Sequence, residues 1–124
     1  GGSGIPAFYT PTAYGTPLGE GKESRNINGR DYLLEYGLTA DFALIKGLTA
    51  DEHGNVIYNK TARNFAPIMA MAGKITVVQA KSIVALGKMN PETIITPGIF
   101  VQRIVKVSEP AIESTLVASG VTYP

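Results

Sequence analysis

The sequence contains no cysteine and a single histidine, His53. Without cysteine, disulfide bonds and thiolate chemistry are excluded, and so is the class of small secreted domains held together by disulfides. One histidine does not supply a His-rich metal site, and no metal-binding residues are predicted. His53 follows Glu52 in a predicted exposed turn, where a solvated histidine is favoured over a pH-sensitive or catalytic one.

Charge of either sign is scarce, and the two signs nearly balance. Lysine and arginine total 11, aspartate and glutamate total 10, and the net charge is +1. This balance gives no electrostatic basis for binding nucleic acid or an anionic membrane, so neither partner is predicted. No apolar run approaches the ~18 residues that cross a bilayer, and no signal-peptide pattern is present. A cytoplasmic location is therefore expected.

Polar surface is also in short supply. Charged residues make up 17% of the chain, whereas soluble domains typically have about 25%. Hydrophobic residues make up 44%, and the mean hydropathy is +0.10. A domain of this size has a large surface for its volume. We therefore expect some apolar faces of this chain to be covered by a partner.

Short apolar runs predict the strands. Phe42–Ile45 and Ile75–Val78 lack alternation, which predicts neighbouring strands of a largely parallel sheet, buried on both faces. Asn28-Gly29 is the signal of a type I′ turn, because both central residues of that turn need positive φ. It predicts a hairpin that pairs Ser24–Ile27 with Arg30–Glu35.

Later segments complete an α/β pattern. Lys60–Ala72 predicts a short helix, capped by Asn59 or Thr61 and stopped at Gly73. Residues Gly98–Val105 predict a further strand. The alternation of strands and helices indicates an α/β fold with an open, mostly parallel sheet.

The pattern fades after Val107. We therefore expect one domain over residues 1–107, followed by a C-terminal tail over residues 108–124. The acidic residues of the domain fall at predicted turns or strand ends, where solvated charge is normal. They include Asp51, and no pair of them is predicted to form a catalytic dyad.

The opening segment is the first candidate for ligand contact. Gly2 and Gly4 would let backbone N–H groups approach an anionic ligand, although the spacing of nucleotide-binding loops is absent. Residues Ile5 to Gly21 are rich in proline and glycine, which indicates an ordered loop. Phe8 and Tyr9 either line a pocket for an acyl chain or pack the loop onto the core, and packing is favoured of the two.

Several segments together resemble the α subunit of the 3-oxoacid CoA-transferases. They occur in the same order and with similar spacing up to about Val107, and they are Gly4–Thr12, Thr39–Lys46, Gly54–Tyr58, Lys60–Phe65 and Thr96–Val101. The resemblance implies the α-subunit fold of that family. It also implies that the chain corresponds to roughly the C-terminal half of the subunit, with the N-terminal part as a partner and the sheet incomplete.

The resemblance further implies an activity. Enzymes of this family move CoA from an acyl-CoA, usually succinyl-CoA, to a 3-oxoacid through a glutamyl-CoA thioester on the enzyme. The glutamate lies in the β subunit in a Glu-Asn-Gly setting, and no glutamate in this sequence is followed by asparagine. We therefore expect no catalytic residue in this chain, no activity from it alone and a partner β subunit. The CoA thioester is a substrate, and no cofactor is expected.

Two questions stay open at this point. The first is whether the acceptor 3-oxoacid is acetoacetate or 3-oxoadipate. The second is whether the chain belongs to an enzyme at all. Gly2, Gly4, Phe8 and Tyr9 are the expected substrate-binding residues. A non-catalytic structural or assembly module with the same fold is the competing interpretation, because a fold alone does not decide function.

Overall fold

Two β-sheets form the framework of the chain. The computed structural model describes residues 4–111 and 113–120. The smaller sheet is antiparallel, with strand order β1-β3-β2. Its strands are β1 (Ala7–Thr10), β2 (Ser24–Ile27) and β3 (Arg30–Tyr36).

The larger sheet is mostly parallel, with strand order β5-β4-β6-β7. Strand β6 lies between β4 and β7 and is parallel to both, whereas the short β5 is antiparallel to β4. The strands are β4 (Ala40–Asp51), β5 (Val56–Ile57), β6 (Gly73–Val84) and β7 (Arg103–Lys106). Phe42 lies opposite Ile75, and Ile45 lies opposite Val78. The α/β fold and the predicted pairing of these two apolar runs are confirmed.

The predicted hairpin is present in the smaller sheet. Asn28 and Gly29 have φ values of 52° and 81°, as a type I′ turn requires. Ile27 pairs with Arg30, and the Asn26 side chain donates a hydrogen bond to Asp31 Oδ1 at 2.8 Å. Asn26 Oδ1 also accepts the N–H of Gly29 at 3.1 Å, so this one side chain braces both ends of the turn.

The opening segment is more regular than a loop. Ala7–Thr10 forms an edge strand, in which Tyr9 pairs with Leu34 of β3. Pro6 and Pro11 flank this strand, which agrees with the confinement of proline to strand ends and sheet edges. A 3₁₀ turn follows at Pro17–Gly19.

The prediction of one helix over Lys60–Ala72 was wrong. A 3₁₀ turn occupies Lys60–Arg63, and the helix α1 covers only Ala66–Ala72. Neither Asn59 nor Thr61 caps α1, because the helix starts at the proline-containing turn and Phe65 takes the cap position. Gly73 does follow the last helical residue, but its backbone is extended and it begins β6 directly.

The predicted strand over Gly98–Val105 was too long. Gly98–Phe100 is a 3₁₀ turn, and only Arg103–Lys106 pairs with β6. The turn is fixed because Gly98 packs directly against the backbone carbonyl of His53, where a Cβ atom would collide. The region expected to be a tail contains a second short helix, α2 (Glu113–Ala118).

The two faces of the larger sheet differ. On the covered face, Ala43, Ile45, Thr76, Val78 and Ala80 are buried beneath α1 and the segment before β7. The opposite face, which we call the bare face, is formed by Phe42, Leu44, Lys46, Ile75, Val77, Gln79 and Val105. Leu44 is 72% exposed and Phe42 is 55% exposed. Within this chain only one face of the two runs is therefore covered, and their burial on both faces stays a prediction for the assembly with its partners.

Candidate functional site

Strand β1 carries the aromatic residues that were expected to bind substrate. Phe8 is 53% exposed, whereas the Tyr9 hydroxyl donates a hydrogen bond to the Glu23 carboxylate. That hydrogen bond is the main reason why the pKa of Tyr9 is raised above its ordinary value. The Arg25 guanidinium lies 5.1 Å from the centre of the Tyr9 ring. Successive strand residues point to opposite faces, so the structure does not bring the two rings together on one surface.

Of the two glycines that were expected to bind substrate, Gly4 is among the described residues. Gly2 lies outside the described residues. Gly4 has a φ of 83°, and a Cβ atom placed there would meet nothing within 4 Å. Glycine at position 4 is therefore favoured by backbone conformation rather than by a close neighbour among the described residues.

A shallow cavity of about 380 Å³ lies beside the smaller sheet. Polar side chains and turn backbone dominate its lining, which includes Tyr14, Thr16, Glu20, Lys22 and Ser24. Phe8 and Tyr9 do not line it, so this cavity is separate from the predicted substrate-binding residues.

A larger cavity of about 440 Å³ lies where the larger sheet meets the 3₁₀ turn at Lys60–Arg63. We call it the lysine cavity, because Lys46, Lys60 and Lys81 all line it. The remaining lining residues are Gly47, Leu48, Asn59, Thr61, Ala62, Gln79 and Pro110. Pro110 comes from the segment that was expected to be a tail.

Sequence reasoning missed the lysine cavity. None of the three lysines was predicted to contact a ligand. A signal was present, because Lys46 follows Leu44 at the strand period and Lys81 follows Gln79 in the same way. Parallel pairing of Lys46 with Gln79 was needed to join the two patterns.

Asp51 was also misjudged as a solvated acid. It is only 2% exposed, and its carboxylate accepts hydrogen bonds from the backbone N–H groups of His53 and Asn55 and from Asn55 Nδ2, at 2.8 to 3.0 Å. Burial would raise the pKa of Asp51, but these hydrogen bonds outweigh it and lower the pKa below the ordinary value of 3.8. Since Asn55 Oδ1 also accepts the N–H of Gly98, the carboxylate anchors the turn before β7.

Two site types receive no support from the part of the chain that the structure describes. Residues 4–111 and 113–120 contain no group of three or more His, Cys, Asp or Glu side chains arranged to hold a metal ion. No helix within the same residues has the length and apolar character needed to span a membrane.

Sequence comparison gives close relatives. The A subunit of the 3-oxoadipate CoA-transferase of Pseudomonas putida is 60% identical over 113 residues, covering 91% of this chain and 49% of the relative. The A subunit of the succinyl-CoA:3-ketoacid coenzyme A transferase of Helicobacter pylori strain J99 is 50% identical, covering 97% of this chain and 53% of the relative. The chain therefore spans about half the length of these relatives.

Solved structures share the fold. An acyl-CoA transferase from E. coli O157:H7 superimposes with a TM-score of 0.74 at 19% identity, covering 89% of this chain and 25% of that one. Glutaconate coenzyme A-transferase from Acidaminococcus fermentans gives a TM-score of 0.71 at 18% identity, covering 85% and 40%. The family profile described as coenzyme A transferase matches residues 1–107. The chain belongs to the coenzyme A transferase family.

Proposed function

We propose that this chain is part of a CoA-transferase that moves CoA from succinyl-CoA to a 3-oxoacid, either acetoacetate or 3-oxoadipate. The observation that carries the proposal is the 50–60% identity to the A subunits of both enzyme types over about nine-tenths of the chain or more. The identity does not separate the two acceptors, because relatives named for each of the two substrates match closely. We place the enzyme in the cytoplasm.

The nucleophile belongs to a partner β subunit in this proposal. Its glutamate carboxylate attacks the thioester carbonyl of succinyl-CoA and expels the CoA thiolate, which leaves a mixed anhydride between succinate and the glutamate. The thiolate then attacks the glutamyl carbonyl of the anhydride, which forms the glutamyl-CoA thioester and releases succinate. In the second half the acceptor carboxylate repeats these two steps in reverse, so the CoA leaves on the 3-oxoacid and the glutamate is regenerated. This assignment is supported by the absence of any Glu-Asn pair in the sequence. Asp51, the buried acid, is already occupied by three hydrogen bonds.

The bare face supports a second part of the proposal, which concerns partners. Leu44 and Phe42 of β4 and Val105 of β7 are exposed on this face, at 72%, 55% and 48%, and β6 lies between the two strands. An apolar patch of this kind marks an interaction surface. We propose that the N-terminal part of the α subunit covers it, since the chain spans only about half the length of the relatives. The β subunit then completes a hetero-oligomer.

The opening segment supports a third part. Gly2, Gly4, Phe8 and Tyr9 border the acyl-CoA site in this proposal, with Phe8 as the contact, because its ring is more than half exposed. Tyr9 holds the strand through Glu23 and Arg25. The matched pair of variants is Phe8→Ala and Tyr36→Ala, since Tyr36 is an exposed aromatic on neighbouring β3. A rise in KM for succinyl-CoA with Phe8→Ala alone is the expected result.

The central experiment uses the protein as it is made in its source cell, with every chain that copurifies. The preparation is incubated with succinyl-CoA, and the intact mass of each chain is measured. The expected result is a CoA adduct on a companion chain and none on this chain, discharged by acetoacetate or 3-oxoadipate. Failure of the preparation to transfer CoA to either acid would refute the proposal and favour a structural module.

A further inference from the structure

The lysine cavity combines three cationic side chains from separate parts of the chain. Lys46 comes from β4 and Lys81 from β6, and Lys60 comes from the 3₁₀ turn that precedes α1. All three line one cavity of about 440 Å³, within the 300–1,000 Å³ range of small-ligand sites. The fold therefore concentrates positive charge at one place in a chain whose net charge is only +1.

Among the described residues, no carboxylate pairs with these three lysines. The residues that line the cavity include no aspartate or glutamate. Within residues 4–111 and 113–120, none of the three lysines forms an ion pair or a hydrogen bond through its ammonium group. Other lysines behave differently, because Lys22 pairs with Glu35 and Lys74 pairs with Asp41. The cavity is thus a site of uncompensated positive charge.

Further polar side chains of the cavity form no hydrogen bond within the described residues and can therefore contact a ligand. The Asn59 side chain precedes the 3₁₀ turn without capping it, and Thr61 and Gln79 add a hydroxyl and an amide to the lining. Lys60 adopts a φ of 50°, a left-handed conformation that is unfavourable for a non-glycine residue. Leu48, Ala62 and Pro110 supply an apolar portion of the wall.

The position of the cavity is also typical of a ligand site. In open α/β sheets, ligands bind near the carboxyl ends of parallel strands. Lys46 lies in the second half of β4, and Lys81 lies three residues before the end of β6. Lys46 belongs to the bare face, and Lys81 follows Gln79 of that face by two strand positions, so its side chain is on the same side of the sheet. Both lysines come later in their strands than the apolar residues of the face, such as Leu44 and Val77. In the proposed assembly the N-terminal part of the α subunit packs on the apolar residues of the bare face. The neighbouring lysines would then lose water, and the free-energy cost of that loss is lower when they bind an anion.

We propose that the lysine cavity binds an oxyanion group of a substrate, either a phosphate of CoA or the carboxylate of the acid. This inference rests on the proposed function, which supplies substrates of both kinds. Lysine ammonium groups bind phosphate and carboxylate oxygens through charge-assisted hydrogen bonds. Lys46 and Lys81 hold the anion from the sheet, and Lys60 closes on it from the turn.

The test uses the full protein with its copurifying chains and two charge-removing variants, Lys46→Gln and Lys81→Gln. The matched control is Lys106→Gln, because Lys106 is an exposed lysine of the same sheet that pairs in register with Ala80 of the covered face. Calorimetry measures the Kd for CoA, for inorganic pyrophosphate and for succinate, and kinetics measure KM and kcat separately. We expect each site variant to weaken binding about tenfold, as for loss of one charge-assisted contact, and the control to leave it unchanged.

The ligand series distinguishes the two sources of the anion. Weaker binding of CoA and pyrophosphate with unchanged succinate assigns the cavity to phosphate, and the reverse pattern assigns it to carboxylate. If all three Kd values stay unchanged in both variants, the proposal is wrong. A lower Tm with unchanged Kd also overturns it, since the lysines would then pair with acidic residues of another segment. Binding remains measurable even if the preparation transfers no CoA. A failure of the proposed function can therefore be distinguished from a failure of this inference.

Discussion

The two faces of the larger sheet both carry apolar side chains from β4 and β6, but these side chains differ in burial. On the covered face, Val78 is fully buried, and Thr76 donates its hydroxyl to the carbonyl of Ala70 in α1 at 2.9 Å. On the bare face, the neighbouring position Leu44 is 72% exposed. Alternate residues of the same two strands thus meet either a packed helix or no cover. The difference shows that, within residues 4–111 and 113–120, these apolar strands are covered on one face only, whereas their composition is typical of strands covered on both.

The comparison also separates two uses of polar residues. On the covered face, polar groups such as Thr76 are satisfied by backbone partners, and Gln102 reaches the N–H of Thr76 from the segment before β7 at 2.6 Å. On the bare face, Lys46 and Gln79 lie opposite each other and line an open cavity. Polar residues therefore stabilise the first face through hydrogen bonds, whereas on the second Lys46 and Gln79 line a cavity.

The largest effect is expected from Val78→Asp on the covered face. Val78 has no exposed surface, so the new carboxylate would be buried without a partner. Such substitutions cost about 4 kcal/mol or more and unfold marginal domains. Soluble yield and Tm of the protein expressed with its companion chains measure the effect. A variant with wild-type Tm would contradict the description of this face as a packed core.

An intermediate effect is expected from Asp51→Asn at the end of β4. The folded pKa of Asp51 is lower than its unfolded value of 3.8, so its contribution to stability is full above that value. The contribution is lost as the pH falls through the folded pKa. At pH 7 the variant should lose about 1 to 3 kcal/mol, because the hydrogen bonds to a charged acceptor are weakened.

The pH dependence of unfolding checks this prediction. Tm is measured from pH 7 down to about pH 3, and the wild-type and Asp51→Asn curves should converge as the pH falls below about 4. Glu52→Gln is the matched control, since Glu52 is an exposed acid in the same turn. Parallel curves over the whole range would show that Asp51 does not carry the effect.

The smallest effect on the stability of the chain is expected from Leu44→Asp on the bare face. Because Leu44 is mostly exposed, the substitution should cost the isolated chain less than about 1 kcal/mol. It should also raise the monomeric fraction of that chain, since it breaks an apolar patch. Light scattering after size-exclusion chromatography measures this fraction. In the full protein, Leu44→Asp should weaken binding of the companion chains. If the wild-type protein and the variant retain these chains equally, the bare face is not covered in the assembly.

The strands and the hairpin were predictable because their signals are local or strongly apolar. Asn28-Gly29 specified a turn without any tertiary contact, and Phe42–Ile45 and Ile75–Val78 specified paired strands. Exposure was not predictable, because a continuous apolar run gives no sign of whether its cover belongs to the same chain. The resemblance carried the family assignment, which the composition alone did not contain.

Helix boundaries and the lysine cavity required tertiary information. Pro67 marks the first turn of α1, yet Lys60–Arg63 carries an equally helical composition and forms a separate 3₁₀ turn. Lys60 and Lys81 are 21 positions apart and meet only because β4, β6 and the turn converge. Asp51 was misread because two of its three hydrogen-bond partners, the N–H groups of His53 and Asn55, are backbone atoms that nearly every residue possesses.

The parallel pairing of β4 with β6 has a consequence for synthesis on the ribosome. Ala40 pairs with Gly73 and Asp51 with Val84, and Thr49 contacts Ser82 at a separation of 33 positions. At a translation rate of about 5–20 residues per second, β4 waits roughly 2 to 7 seconds for its partner. During that interval the apolar edge of β4 has only the short β5 beside it. Nascent chains are thus most exposed to wrong pairing after β4 emerges and before β6 does.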